Sequence, residues 1–280
     1  MLIAESLSKP LVSSGAEDLK SLEPYFLPES HPAYSILRKV FTKAVGPLTS
    51  EKSLAALGFK FSQSERRRDR NKTIVSTHTS EQLKNYVFKC YVYPKVKADS
   101  KDCNRQAHVR ERRIRNRVKF SRRAREVVDK FNLKKYFFVP RKYLFPLKKI
   151  KGEKLTRCLL LEDKISFATE EDHRAFWRGK EIYEYLIPLA RILWHTQIWD
   201  LQPANLRQNL KQQMTLHDTE LGHKRPKGRG KGKGIDDFFD ILSDKLLPSN
   251  ISIGLDELHQ KWREAYEEVS QEKPLELKNK

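Results

Sequence analysis

Along the first half of the chain the spacing of apolar residues changes period twice, and each change predicts a different element. From about Pro32 to Val45 the residues Tyr34, Leu37, Val40 and Phe41 recur at helical spacing on one side. The run Thr49-Ser50-Glu51-Lys52-Ser53 reads as a helix start leading into Leu54, Ala55 and Leu57. Then the period drops to two. Phe59 and Phe61 flank Lys60, residues 73–78 are rich in β-branched side chains, and Tyr86, Phe88, Cys90 and Val92 alternate with Val87, Lys89 and Tyr91. Three strands in succession with short polar connections predict an antiparallel meander. A long helix is predicted from about Arg105 to Phe131. Extended segments follow at 136–139 and 143–147 around Pro140, and a buried strand at 158–161. One further helix is expected from about Glu171 to Gln197, kinked at Pro188.

Beyond Glu220 the character changes. Residues 223–234 (HKRPKGRGKGKG) are basic and glycine-rich without an apolar residue, which reads as a linker. Amphipathic spacing resumes at 235–247 and 255–270, and the last ten residues carry no pattern. Residues 1–30, punctuated by Ser and Pro, read as a flexible tail.

Composition narrows the classes. Of 280 residues only 38% are hydrophobic, but 4 Trp, 10 Tyr and 14 Phe supply bulk for a core, so a folded centre with polar ends is expected. No apolar run approaches the roughly 20 residues that cross a bilayer. Residues 1–20 lack the pattern of a signal peptide, and three scattered cysteines argue for reduced thiols. The expected location is therefore cytoplasmic, with secretion lacking a cleaved signal left open. The net charge of +20 attracts polyanions of any kind: nucleotide phosphates, nucleic acid, acidic surfaces or an acidic protein.

The segment with most chemical content is Ile198-Trp199-Asp200-Leu201-Gln202-Pro203-Ala204-Asn205-Leu206-Arg207, followed by Met214-Thr215-Leu216-His217-Asp218. Asp200, Leu201, Pro203, Asn205 and then Asp218 after an apolar strand resemble the catalytic loop and metal-binding segment of protein kinases. The resemblance implies an α+β, two-lobed protein-kinase-like fold with a small antiparallel meander sheet and a reduced helical C-lobe. It divides the chain into an N-lobe-like region at 31–163 and a catalytic-loop-bearing core at 164–222. It further implies ATP and Mg²⁺ as cofactors. Asp200 would orient the attacking hydroxyl, while Asn205 and Asp218 would hold Mg²⁺, a hard cation that favours oxygen ligands. The plain alternative is a capped hairpin with Asp218 as a turn residue.

The same resemblance calls for a Lys on the third strand and a Glu on the following helix. Lys89 and Glu111 fit. Glu111 falls roughly 60° from Ile114 at about 100° per residue, on the edge of the stripe formed by Ala107, Ile114, Val118, Ser121 and Val128. It is the only acid between Asn104 and Arg125. A surface Glu pairing with Arg115 is the alternative, and Glu126 faces the stripe less well. Leu159-Leu160-Leu161-Glu162-Asp163 resembles the strand and hinge where adenine rests, with backbone groups near Glu162 as its partners.

Several positions depart from the family pattern. The turn 62–72 (SQSERRRDRNK) has no glycine to cover phosphates. Ile198 and Trp199 stand where His and Arg usually precede the Asp, and Thr219-Glu220 where Phe-Gly usually follows. The stretch after Asp218 has no Ala-Pro-Glu segment and implies a cut-down helical lobe. These departures leave a small atypical kinase and a binding-only pseudokinase scaffold as the two kinase-like outcomes. The competing class is an RNA- or DNA-binding protein using an arginine-rich helix at 105–125 and the basic segment 223–234. Metal or nucleophilic catalysis has little support: His173, His195 and His217 are far apart, and neither Cys-x-x-Cys nor Gly-x-Ser-x-Gly occurs.

Overall fold

The computed structural model describes residues 20, 22–44, 51–61, 73–91, 101–147, 157–196, 206–217 and 255–275; the side chains of 73, 74, 91, 101–110 and 255 are outside this description. The fold is mixed α+β. Five strands form an antiparallel sheet: β1 (Phe59–Phe61), β2 (Thr73–His78), β3 (Tyr86–Tyr91), β5 (Lys142–Pro146) and β6 (Cys158–Asp163), in the order β1-β2-β3-β6-β5. β4 (Phe137–Phe138) and β7 (Met214–Thr215) make a separate parallel pair, with Phe137 opposite Met214. The helices are α1 (Pro32–Thr42), α2 (Glu51–Ala55), α3 (Lys101–Lys130), α4 (Glu170–Arg178), α5 (Tyr183–Thr196) and α6 (Leu255–Ser270).

The alternation read from the sequence decides which side chains meet on each face of the large sheet, because neighbouring residues of a strand point oppositely. Phe59, Phe88, Phe145, Leu159 and Leu161 gather on one face with Leu37 of α1 and Leu54 of α2. Leu144, Cys158 and Leu160 face the other way, onto Ile114 and Val118 of α3. At about 1.5 Å per residue, the 30-residue α3 is about 45 Å long, enough to serve two cores. Its later residues Phe120, Ala124, Val127 and Val128 join a second cluster with Trp177, Leu189, Ile192, Trp262 and Val269 from α4, α5 and α6.

Some details differ from the sequence reading. Residues 22–30, placed above in the tail, lie against the sheet: Leu22 and Leu27 are buried, and the Leu27 N–H donates to the Leu144 carbonyl at 2.9 Å. The single helix expected over 171–197 is two helices. Gly179 takes an extended conformation (φ −83°, ψ 157°) and ends α4, while Pro188 sits inside an unbroken α5. The start of α4 is fixed by a capping box between Thr169 and Asp172. Gly58, at φ 90°, makes the turn from α2 into β1 in the left-handed region. The predicted helix at 235–247 and the linker at 223–234 lie outside the described residues. Among the described residues no helix is long and apolar enough to cross a membrane.

Candidate functional site

β6 brings a carboxylate to the edge of the α3-facing side of the sheet. Glu162 shares the phase of Leu160, and its register partners are Val87 on β3 and Lys142 on β5. Lys89 sits opposite Leu160, and its phase is opposite to that of Phe88 and Cys90, so it also faces α3. Two ammonium groups therefore converge on one buried carboxylate. Lys89 Nζ lies 2.8 Å from Glu162 Oε2 and Lys142 Nζ 3.8 Å from Oε1, with side-chain exposures of 10% for Lys89, 4% for Glu162 and 0% for Lys142. Burial alone would raise the pKa of Glu162, but Lys142 and Lys89 outweigh it and hold the carboxyl below its usual range. The cluster sets two ammonium groups around one carboxylate.

Lys142 also joins the two sheets. Its Nζ donates to the His217 carbonyl at 2.5 Å. His217 follows β7, whose last described ladder bond runs from the Leu216 N–H to the Phe138 carbonyl at 3.0 Å. The next residue in the sequence is Asp218. Around His217 the walls are aromatic and charged: Phe167 meets its ring edge to face at 5.4 Å, and the Arg207 guanidinium lies 4.8 Å over Phe167. Arg207 in turn reaches Glu170 at the start of α4 (3.8 Å).

Of the residues singled out in the sequence, Lys89, Glu111 and Glu162 are described, whereas Asp200, Asn205 and Asp218 lie outside the described residues, as does the turn 62–72. Glu111 is buried (2% exposed), which departs from the surface alternative; its Oε2 accepts from the Cys158 N–H at 3.3 Å. The ion pair of Lys89 runs instead across the sheet to Glu162. Glu111 does act on its neighbours: burial foremost, and then Glu111, push the Cys90 thiol up to about 12, so Cys90 is no nucleophile. Glu126 is exposed and pairs with Arg122 at 3.4 Å. Beside Glu162, the Asp163 N–H donates to Arg141 and the Lys164 N–H to Asn85 (3.1 and 2.8 Å), so both are engaged within the protein. Sequence reasoning missed Lys142 altogether. Its one signal was a lysine in the same strand phase as Leu144.

From residue 111 on, the arginine-rich helix is largely a packing element. Arg117 is buried, Arg113, Arg115, Arg122, Arg123 and Arg125 are half-buried, and only Arg112 and Lys119 among its described cations from residue 112 to 125 are exposed. Arg123 Nε donates to the His195 carbonyl at 3.0 Å. His195 is the hub of a second network. Its Nε2 meets Glu272 at 2.9 Å, its Nδ1 accepts from the Leu275 N–H at 3.2 Å, and Arg191 and Trp194 also bind Glu272 (both 2.9 Å). This network ties the chain after α6 to the helix that leads towards Asp200. Among the described residues no group of three or more His, Cys, Asp or Glu converges to hold a metal ion.

The sequence matches no protein-family model and no curated protein.

Proposed function

We propose that this chain is an atypical kinase-like protein that binds ATP with Mg²⁺ between the large sheet and the segment following β7, and that phosphoryl transfer to an acceptor or scaffolding follows from that binding. The observation that carries the reading is the buried Lys89–Glu162–Lys142 cluster meeting the carbonyl of His217, the residue before Asp218. A lysine on the third strand of a meander, followed by a long helix, agrees with the resemblance drawn from Asp200, Asn205 and Asp218. A lysine ammonium such as that of Lys89 suits a polyphosphate. In this reading Lys89 faces the phosphates, and Asn205 and Asp218 supply oxygen ligands to Mg²⁺. Glu162 takes the part of the acid that holds Lys89, which the sequence reading gave to Glu111. Since the N–H groups of Asp163 and Lys164 are engaged, an adenine resting at the end of β6 meets carbonyl groups or the connection beyond Lys164.

The competing nucleic-acid reading draws support from the net charge, but the packing of the described α3 arginines leaves them less surface than the sequence suggests. Thermal denaturation with ATP, Mg²⁺, both or neither tests the proposal. Stabilisation by ATP that requires Mg²⁺ and is abolished in Asp218→Asn is the expected result. Equal stabilisation of that variant overturns the assignment of Asp218.

A further inference from the structure

On the α1-facing side of the large sheet, the ring of His31 packs against Tyr86 of β3 and Tyr143 of β5, with centroids at 5.5 and 5.2 Å. His31 immediately precedes α1 and caps it. Its Nδ1 accepts from the Ala33 N–H at 3.2 Å, and its carbonyl accepts from the Tyr34 N–H at 2.8 Å. Because a backbone N–H can only donate, Nδ1 carries no proton in this arrangement. A proton added there would remove the cap and place a positive charge at the positive end of the α1 dipole. The segment before the cap is held by its own bonds. The His31 N–H donates to the Pro28 carbonyl at 2.9 Å, and the Tyr34 hydroxyl donates to Glu29 at 3.1 Å. The Leu27 N–H donates to the Leu144 carbonyl at 2.9 Å, and Phe26 forms a bridge with Leu144. Since β5 is an edge strand, residues 26–31 cover backbone groups that would otherwise lie open along that edge.

We propose that His31 is an acid-sensitive latch: its neutral ring caps α1 and closes residues 26–31 over the β5 edge, and its protonation loosens both. The charged groups that act on the ring are Asp163, opposite Tyr86 at the end of β6, and Arg141, whose backbone N–H donates to the Asp163 carboxylate at 3.2 Å. Arg125 of α3 also acts on Asp163. Burial foremost, joined by Arg141 and opposed by Asp163, holds the His31 pKa below 6.5. Burial raises the Asp163 pKa, so acidification weakens the one group that favours the imidazolium. The folded-state value of His31 is therefore the lower one. Its stabilisation is complete above the unfolded value of about 6.5 and is lost as pH falls through the folded value.

Amide hydrogen exchange of the full chain at about pH 7.5 and about pH 5 tests the latch, with each rate expressed as protection relative to an unstructured amide at the same pH. Protection of Leu27, Ala33 and Tyr34 is expected to fall about fivefold at the acid pH, the factor for loss of one helix cap. His31→Asn keeps a capping acceptor and cannot titrate, so its protection at these amides should change by less than about twofold. An equal acid loss in His31→Asn overturns the proposal, because other groups then carry the effect, and so does unchanged protection in the wild-type chain. A second measurement needs no variant. The His31 ring, followed by its proton chemical shifts, should titrate with a midpoint below 6.5; a midpoint at or above that value overturns the proposal.

Discussion

Among the described residues, replacing Glu162 by Gln removes the one carboxylate in contact with Lys89, in a site where all three side chains are at most 10% exposed. Two ammonium groups would remain in a region of low dielectric with a neutral amide between them. Breaking a buried ion pair from one side costs about 3–5 kcal/mol, since the abandoned charge keeps its desolvation penalty. Against a total stability of about 5–15 kcal/mol that is a large fraction. With a urea slope of about 3 kcal/mol per molar, the unfolding midpoint falls by about 1–1.7 M. The pH dependence gives an independent check. The folded-state pKa of Glu162 is depressed by Lys142 and Lys89, so its stabilisation is present above the unfolded carboxylate value of about 4.3 and is lost as pH falls through the lower folded value. The gap between wild type and Glu162→Gln, measured by urea unfolding from neutral to acid pH, should therefore close at the acid end. The triple change Lys89→Met, Glu162→Leu, Lys142→Met should restore much of the loss, because an apolar cluster of similar volume carries no desolvation penalty. A midpoint shift in Glu162→Gln below about 0.3 M, or a gap independent of pH, refutes the description of this site as a buried, mutually dependent cluster.

Two other substitutions probe the frame around the site. Glu272→Gln removes the acid shared by Arg191 and His195 and is expected to cost about 1–2 kcal/mol at neutral pH. Burial raises the Glu272 pKa but His195 and Arg191 outweigh it, so this loss too should fade on acidification through the lowered value, as followed by thermal unfolding. Gly58→Ala places a Cβ 2.8 Å from Thr79 Oγ1 in a backbone with φ 90°; chemical denaturation should show a loss of about 1–3 kcal/mol.

The elements were legible where period and burial agree. Phe59-Lys60-Phe61 and the apolar run Cys158 to Leu161 announced their strands, and the spacing at 255–270 gave α6 its observed bounds. The break before α5 was missed because Pro188 is a conspicuous helix breaker. Yet Pro188 is tolerated within α5, and the capping box at Thr169 and the extended Gly179 divide the segment instead. The partner of Lys89 was missed for a different reason. Periodicity places Glu111 on the buried side of α3, where it is, but periodicity carries no register between strands. Only the alignment of Val87, Glu162 and Lys142 across β3, β6 and β5 brings the acid of one strand between the lysines of two others. Lys142 was hidden by the same limit: β5 is apolar in both phases, so nothing local marks its one lysine as buried.

The central claim is that Lys89 and its neighbours form one wall of a nucleotide site. Equilibrium titration with a fluorescent ATP analogue in the presence of Mg²⁺ tests it most directly: saturable binding, displaced by unlabelled ATP and weakened at least about tenfold by Lys89→Met, is predicted. Binding that is absent at millimolar nucleotide, or unaltered in a folded Lys89→Met chain, contradicts it.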